Sequence, residues 1–200
     1  MNIVFDLGGV VFNWLPEMLV KTVYSDTKTQ TLALREIVRH PDWIELDRGT
    51  ISQEKAIAKA VSRTGLPTKE ISRLFAHVPP SLTPIQATID LLHTLHQEAS
   101  HDLFVLSNMH HASIGYLEEH FDIWKLFTGK VISCRVAKVK PEPDIFDYLL
   151  STHNLIPQET VFIDDMKENV QAALAFGVRA IQFHNASQCR RELRALGCCP

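Results

Sequence analysis

Four short groups of residues in this 200-residue chain could do chemistry together. Asp6 is followed after one residue by Gly8 and Gly9. Ser107 and Asn108 are adjacent. Lys140 opens Lys140-Pro141-Glu142-Pro143. Asp164 and Asp165 are adjacent. Carboxylates brought to one place repel and call for a cation. Mg²⁺ suits oxygen ligands, and is usually held by one or two carboxylates plus a substrate phosphate. Ser107 and Asn108 offer hydrogen bonds to phosphate oxygens, and Lys140 offers a balancing positive charge. Taken singly, each group has an ordinary alternative: Asp6 a turn opener, Asp164-Asp165 a helix cap, Ser107 a strand-end hydroxyl, Lys140 a solvated loop lysine. Only joint placement makes them a site.

Their placement follows from the elements that carry them. Ile3-Val4-Phe5 reads as a buried strand ending on Asp6. Leu103 to Leu106 reads as a second, ending on Ser107-Asn108. Thr160 to Ile163 reads as a third, ending on Asp164-Asp165. Val131 to Ser133 and Arg179 to Phe183 are further strands. Helices fall between them, so the pattern predicts a parallel sheet with helices on both faces. In such a sheet, ligands bind outside the carboxyl ends of the strands. Three acids, a hydroxyl and an amide then share one crevice.

Residues 14–81 break the alternation with helical periodicity alone. Leu15 to Tyr24 and Gln30 to Val38 read as helices. Pro41 to Gly49 reads as a break with one more helical turn. Thr50-Ile51-Ser52-Gln53 reads as a capping box, opening a helix that stops at Gly65. Lys69 to His77 is another, ended by Pro79-Pro80. Thr83-Pro84-Ile85-Gln86 reads as a second capping box, with Pro84 at the first helical position. The predicted organisation is an α/β, Rossmann-like core of residues 1–13 and 82–200, with a small helical cap of residues 14–81.

Hydrophobic residues make up 46% of the chain, enough for a proper core, and the net charge is -3. No basic footprint for nucleic acid is present, and no apolar run reaches the ~18 residues of a membrane helix. Asp6 interrupts the first apolar run and no positive segment precedes it, so no signal peptide is expected. Cys134, Cys189, Cys198 and Cys199 lack metal-ligand spacing and suit a reducing, cytoplasmic setting.

The series Asp6-x-Gly8, Leu106-Ser107-Asn108, Lys140-Pro141-x-Pro143 and Asp164-Asp165 resembles the haloacid dehalogenase-like hydrolase superfamily. The helical block resembles the small cap of its subgroup of haloacid dehalogenases and sugar phosphatases. Bacterial sugar-1-phosphate phosphatases, including those for α-D-glucose 1-phosphate, are the most similar in these motifs. The resemblance implies a Mg²⁺-dependent phosphatase acting on a small phosphorylated metabolite, as a monomer or weak homodimer. It implies Asp6 as nucleophile, and Asp6, the Gly8 carbonyl and Asp165 as metal ligands. Ser107, Asn108 and Lys140 match phosphate-binding positions. Asp164 matches a residue behind the ligands. Asn169 falls where many relatives carry another acid. Trp14, Trp43, Asp47 and His110 could shape the pocket, but the favoured reading of each is structural.

Gly8 departs from the pattern. Most phosphatases of this superfamily carry there an Asp that protonates the leaving group, and a positioned acid contributes typically 10²–10⁴-fold. Two alternatives follow. A 2-haloacid dehalogenase would use the same Asp6 on carbon without metal, but small neutral residues replace its paired acids. A non-catalytic binding protein on the same fold is favoured only by Gly8.

Overall fold

Five strands form one parallel sheet in the computed structural model, which describes residues 1–98 and 101–198. They are β1 (Asn2–Phe5), β2 (Asp102–Ser107), β3 (Gly129–Ile132), β4 (Thr160–Asp164) and β5 (Arg179–Gln182), in the order β3-β2-β1-β4-β5. The central strand β1 pairs Phe5 with Val105 on one side and Ile163 on the other. The carboxyl ends of β1, β2 and β4 therefore meet at one edge.

Successive side chains of a strand point to opposite faces, and both faces are covered here. Ile3, Phe5, Val105 and Ile163 pack against α6 (Gln86–Gln97), α7 (His111–His120) and α11 (Ala186–Ala195). The short α8 (Ser133–Val136) follows β3 directly, and Val4, Phe104 and Phe162 pack against α9 (Pro143–Thr152) and α10 (Lys167–Ala175). Burial on both sides is why these strands read as continuous apolar runs.

The chain leaves the sheet layer after β1 and returns before α6. Between lie α1 (Pro16–Val23), α2 (Thr27–Ala33, continued by a π turn, Leu34–Val38), α3 (Pro41–Arg48), α4 (Gln53–Thr64) and α5 (Thr68–Ser81). They enclose an apolar cluster of their own, with Leu19, Ile37, Leu46, Ile71 and Phe75 at its centre. The outgoing and returning segments lie side by side. The Asn13 N–H donates to the Thr83 carbonyl at 2.8 Å, and the Ile85 N–H to the Val11 carbonyl at 2.8 Å. No helix among the described residues is long and apolar enough to cross a membrane.

Several local expectations need correction. Residues 41–48 form two full helical turns, because His40 Nδ1 accepts from the Asp42 N–H at 3.1 Å and Pro41 takes the first helical position. Gly49, at φ 81°, closes that helix, and the Thr50 N–H then bonds back to the Glu45 carbonyl. Thr50 thus belongs to the end of α3, and Ser52 caps α4 instead by accepting from the Lys55 N–H. Thr83 caps nothing: its backbone pairs with Asn13, Pro84 bridges to Phe12, and α6 starts at Gln86 without a side-chain cap. Pro79 and Pro80 do not end α5, which runs to Ser81. Proline's fixed φ is itself helical, and the N–H bonds and ring crowding that Pro79 and Pro80 cost fall on the last turn alone. Cys199 lies outside the described residues.

Candidate active site

Asp6 stands one residue past the end of β1, where the chain turns back on itself. Its Oδ1 accepts the Leu7 N–H at 2.7 Å. The Leu7 carbonyl then receives the N–H groups of Val10, Val11 and Phe12, and the Gly9 N–H donates to the Phe12 carbonyl. Gly9 sits at φ +78°, a conformation that favours glycine. This tight turn fixes Asp6 at the mouth of the sheet edge, 7% exposed.

Lys140 lies between two of the acids. Its Nζ is 3.0 Å from Asp6 Oδ1 and 2.6 Å from Asp164 Oδ2, with the side chain 1% exposed. Asn108, just beyond β2, holds the lysine's backbone from both sides. Its Oδ1 accepts the Lys140 N–H and its Nδ2 donates to the Lys140 carbonyl, each at 2.8 Å. Burial alone would push the Lys140 pKa down. Asp164 and Asp6 more than reverse that and raise it above its ordinary value.

Asp164 is fully enclosed. Besides Lys140 it accepts the Met166 N–H at 2.8 Å, and Asn169 Nδ2 lies 3.0 Å from each of its oxygens. Asn169 therefore orients Asp164. Asp165 is more open. Its carboxyl pKa is raised by burial and then by Asp164. Burial likewise pushes Asp6 up to about 7; Lys140 opposes this, while Asp164 and Asp165 add to it. Asp6, Asp164 and Asp165 each offer an oxygen, and those oxygens lie within 4.8 Å of one another. Three carboxylates face one ammonium, a hard-oxygen donor set short of positive charge.

Ser107 is 1% exposed, and its Oγ has no partner at full hydrogen-bond geometry, although it helps to favour the charged form of Asp6. A buried hydroxyl without a partner costs roughly 1–3 kcal/mol. Such a group is accounted for if a ligand oxygen meets it.

These groups open into a cavity of about 500 Å³ between the sheet edge and the helical block. Asp6, Gly8, Asn108, Lys140, Asp165 and Asn169 line it, with Ser107 and Asp164 enclosed close to them. Trp14, Trp43, Asp47 and His110, which the sequence offered as pocket-shaping but favoured as structural, all line it. They also join block to core. His110 Nδ1 is 3.0 Å from Asp47 Oδ1, Ser133 Oγ donates to the Asp47 carbonyl at 2.5 Å, and Arg48 makes two 2.6 Å bonds to Glu142. Sequence reasoning missed Ile44, Met109 and Met166 as wall residues. Ile44 and Met109 carry no pattern that separates wall from core. Met166 does: it stands at the cap position of α10, where Ser, Thr, Asp or Asn is usual, and is 53% exposed.

Comparison with known proteins agrees with this architecture. Residues 3–183 match the model of the haloacid dehalogenase-like hydrolase family. The chain is similar to a sesquiterpene phosphatase of Aspergillus oryzae, 29% identical over 196 residues, covering 98% of this chain and 96% of that protein. Over 65 residues it is 32% identical to a D-ribitol-5-phosphate phosphatase of Bacteroides thetaiotaomicron, 32% of each chain. Its fold is similar to that of a haloacid dehalogenase family enzyme from Bacteroides thetaiotaomicron, an Asp-to-Ala variant solved with magnesium and inorganic phosphate. The TM-score is 0.73 at 21% identity, over 92% of this chain and 93% of that one. Matched from its first buried strand to its last, the chain belongs to the haloacid dehalogenase-like hydrolase family and is a hydrolase.

Proposed function

We propose that this protein is a Mg²⁺-dependent phosphatase that hydrolyses a small phosphomonoester through a phosphoryl group carried on Asp6. The observation that carries this is the convergence of Asp6, Asp164 and Asp165 oxygens within 4.8 Å around the single ammonium of Lys140. That donor set fits Mg²⁺, with Asp6, the Gly8 carbonyl and Asp165 as the protein's ligands. When bound, Mg²⁺ would supply the charge that keeps Asp6 ionised and draws negative charge from the phosphoryl oxygens.

The chain's own groups then divide the work. An Asp6 carboxylate oxygen attacks phosphorus, and the bond from phosphorus to the alcohol oxygen breaks. That oxygen leaves with the electron pair and takes up a proton from water or from the substrate itself, since Gly8 supplies no acid. Lys140 Nζ, the Ser107 hydroxyl and the second amide hydrogen of Asn108 hold the phosphoryl oxygens. Water then attacks phosphorus, releasing inorganic phosphate and restoring Asp6. Residues 14–81 serve as the cap that closes the site against solvent.

The named relatives support phosphate ester chemistry but not one alcohol, since one is named for a sesquiterpene and the other for D-ribitol 5-phosphate. The likeness to sugar-1-phosphate phosphatases in the motifs adds a candidate class. A dehalogenase reading is disfavoured by the acid pair, which would repel a carboxylate substrate. The test is hydrolysis of para-nitrophenyl phosphate by the purified chain. Turnover that Mg²⁺ supports, EDTA removes and Asp6→Asn abolishes is expected. Turnover indifferent to EDTA would overturn the metal assignment, and full activity in Asp6→Asn would overturn the nucleophile.

A further inference from the structure

We infer that the alcohol part of the substrate is apolar: the cavity is built for the phosphate monoester of a hydrophobic alcohol, with an aliphatic body lying between cap and core. This rests on the phosphatase reading and concerns what the same site selects. The argument comes from the walls. Beyond the carboxylates, the cavity is lined by Trp14, Val38, Trp43, Val78 and Met109. The two indoles stand 5.9 Å apart at 31° along one side of it. Ile44 from the cap and Met166 from the core also line the cavity, yet are 49% and 53% exposed. Large apolar side chains left half in water on both sides of a cleft mark a place where an apolar group is to be covered.

Most polar groups on the same walls are already engaged. Asp47 is bonded to His110, whose Nε2 is 3.0 Å from Ser113 Oγ. Asn169 serves Asp164, His40 Nδ1 accepts the Asp42 N–H, and the exposed Arg39 pairs with Glu17 at the surface. A sugar can lay its C–H face on an indole, but each buried hydroxyl then needs a partner, and an unpaired one is costly. A pocket that reads hydroxyls presents free donors and acceptors. These walls present mainly indole, aliphatic carbon and thioether, with His40 and Arg39 at one side. A volume of about 500 Å³ is that of an ordinary small-molecule site, larger than the phosphate alone requires.

The experiment is a series of primary alkyl phosphates, from ethyl to octyl, with the intact chain and Mg²⁺. Their leaving groups are nearly equal in acidity, so chain length is the only variable. Glucose 6-phosphate, also a primary ester, glucose 1-phosphate and para-nitrophenyl phosphate are run beside them. We expect kcat/KM to rise about fourfold per methylene while carbons are being buried, the factor that corresponds to ~0.8 kcal/mol per CH₂. Octyl phosphate should exceed glucose 6-phosphate by about 10²-fold or more on the same scale. Ile44→Asn and Met166→Gln, at half-exposed positions where stability changes little, should lower the octyl-to-ethyl ratio. A flat alkyl series with better turnover of either sugar phosphate would overturn the inference and leave the phosphatase reading standing. An unchanged octyl-to-ethyl ratio in both variants would overturn the assignment of the wall. If no ester is hydrolysed, the aryl phosphate included, the phosphatase reading itself fails and the inference falls with it.

Discussion

Gly9 makes room for Asp165. A Cβ built on Gly9 would lie 2.5 Å from Asp165 Oδ2 and 2.7 Å from its Cγ, and the backbone there is at φ +78°. The second glycine of the first motif therefore sets the position of a carboxylate 156 residues later in sequence. Gly9→Ala should cost roughly 1–2 kcal/mol through its backbone alone. It should also displace Asp165. Misplacing a ligand by about 1 Å can cost 10²-fold in rate, so kcat/KM on an aryl phosphate should fall by about that much. Calorimetric titration should show weaker Mg²⁺ binding, with far-ultraviolet circular dichroism unchanged. Wild-type Mg²⁺ affinity in this variant would mean that Asp165 is not a ligand.

Asp6→Asn should separate stability from function. Burial raises the Asp6 pKa from an ordinary 3.8 to about 7. Below about pH 4 both folded and unfolded chains hold the proton, and the group contributes nothing. From there to about pH 7 the unfolded chain ionises first, so stability falls as pH rises, and the penalty is complete above pH 7. The metal-free Asn variant should thus be inactive yet melt higher than the wild type at pH 8. The difference should shrink towards pH 4. Equal melting temperatures at pH 8 would show that Asp6 is not strained by burial.

Added Mg²⁺ should reverse that penalty in the wild type. Its affinity should rise with pH across the range in which Asp6 loses its proton, because the ligand must be ionised to bind. Melting curves with and without Mg²⁺ at several pH values measure this directly. A Mg²⁺ shift independent of pH would contradict it.

Lys140 is enclosed with two acids at 3.0 and 2.6 Å. Breaking a buried pair by removing one partner costs about 3–5 kcal/mol, because the other charges are left uncompensated. Lys140→Met should lower the metal-free melting temperature, and saturating Mg²⁺ should restore part of the loss. Activity should fall by about 10²–10³-fold, the usual scale for a lost charge-stabilising donor. Near wild-type kcat/KM would make Lys140 a structural residue.

Gly8 has space for a side chain: a Cβ there would meet nothing closer than Trp14 Cβ at 3.7 Å. Without an acid at this position, negative charge builds on the departing oxygen in a loose transition state. The wild-type rate should depend steeply on leaving-group acidity, favouring aryl and anomeric phosphates over primary alkyl ones. Gly8→Asp should flatten that dependence and speed the poorest leaving groups by up to about 10²–10⁴-fold. A wild-type rate indifferent to leaving group would mean that another residue supplies the proton.

The strands and the acids were legible because each signal is local. Ile3-Val4-Phe5 and Val161-Phe162-Ile163 are apolar on both sides of the sheet, and each is followed at once by its carboxylate. The helix starts at Thr50 and Thr83 were misread because both threonines have the right chemistry for a cap but spend their backbone groups elsewhere: Thr50 on Glu45, closing the helix before it, and Thr83 on Asn13, brought near by tertiary packing. The double role of Trp43 and His110 was only half legible, for a related reason. A residue that is both core and wall leaves one apolar signature, and only its neighbours separate the roles.

The hydrogen-bonded pairs Asn13–Thr83 and Ile85–Val11 also make the helical block modular. Its two ends meet at a single doorway, so a short turn could join Asn13 to Thr83 with little disturbance to strand register. Most of its apolar contacts are internal, with Trp14 shared between the two clusters. Rebuilding the block from this doorway would redraw the roof of the cavity while leaving the carboxylates beneath in place, which makes it the natural junction for building chimaeras.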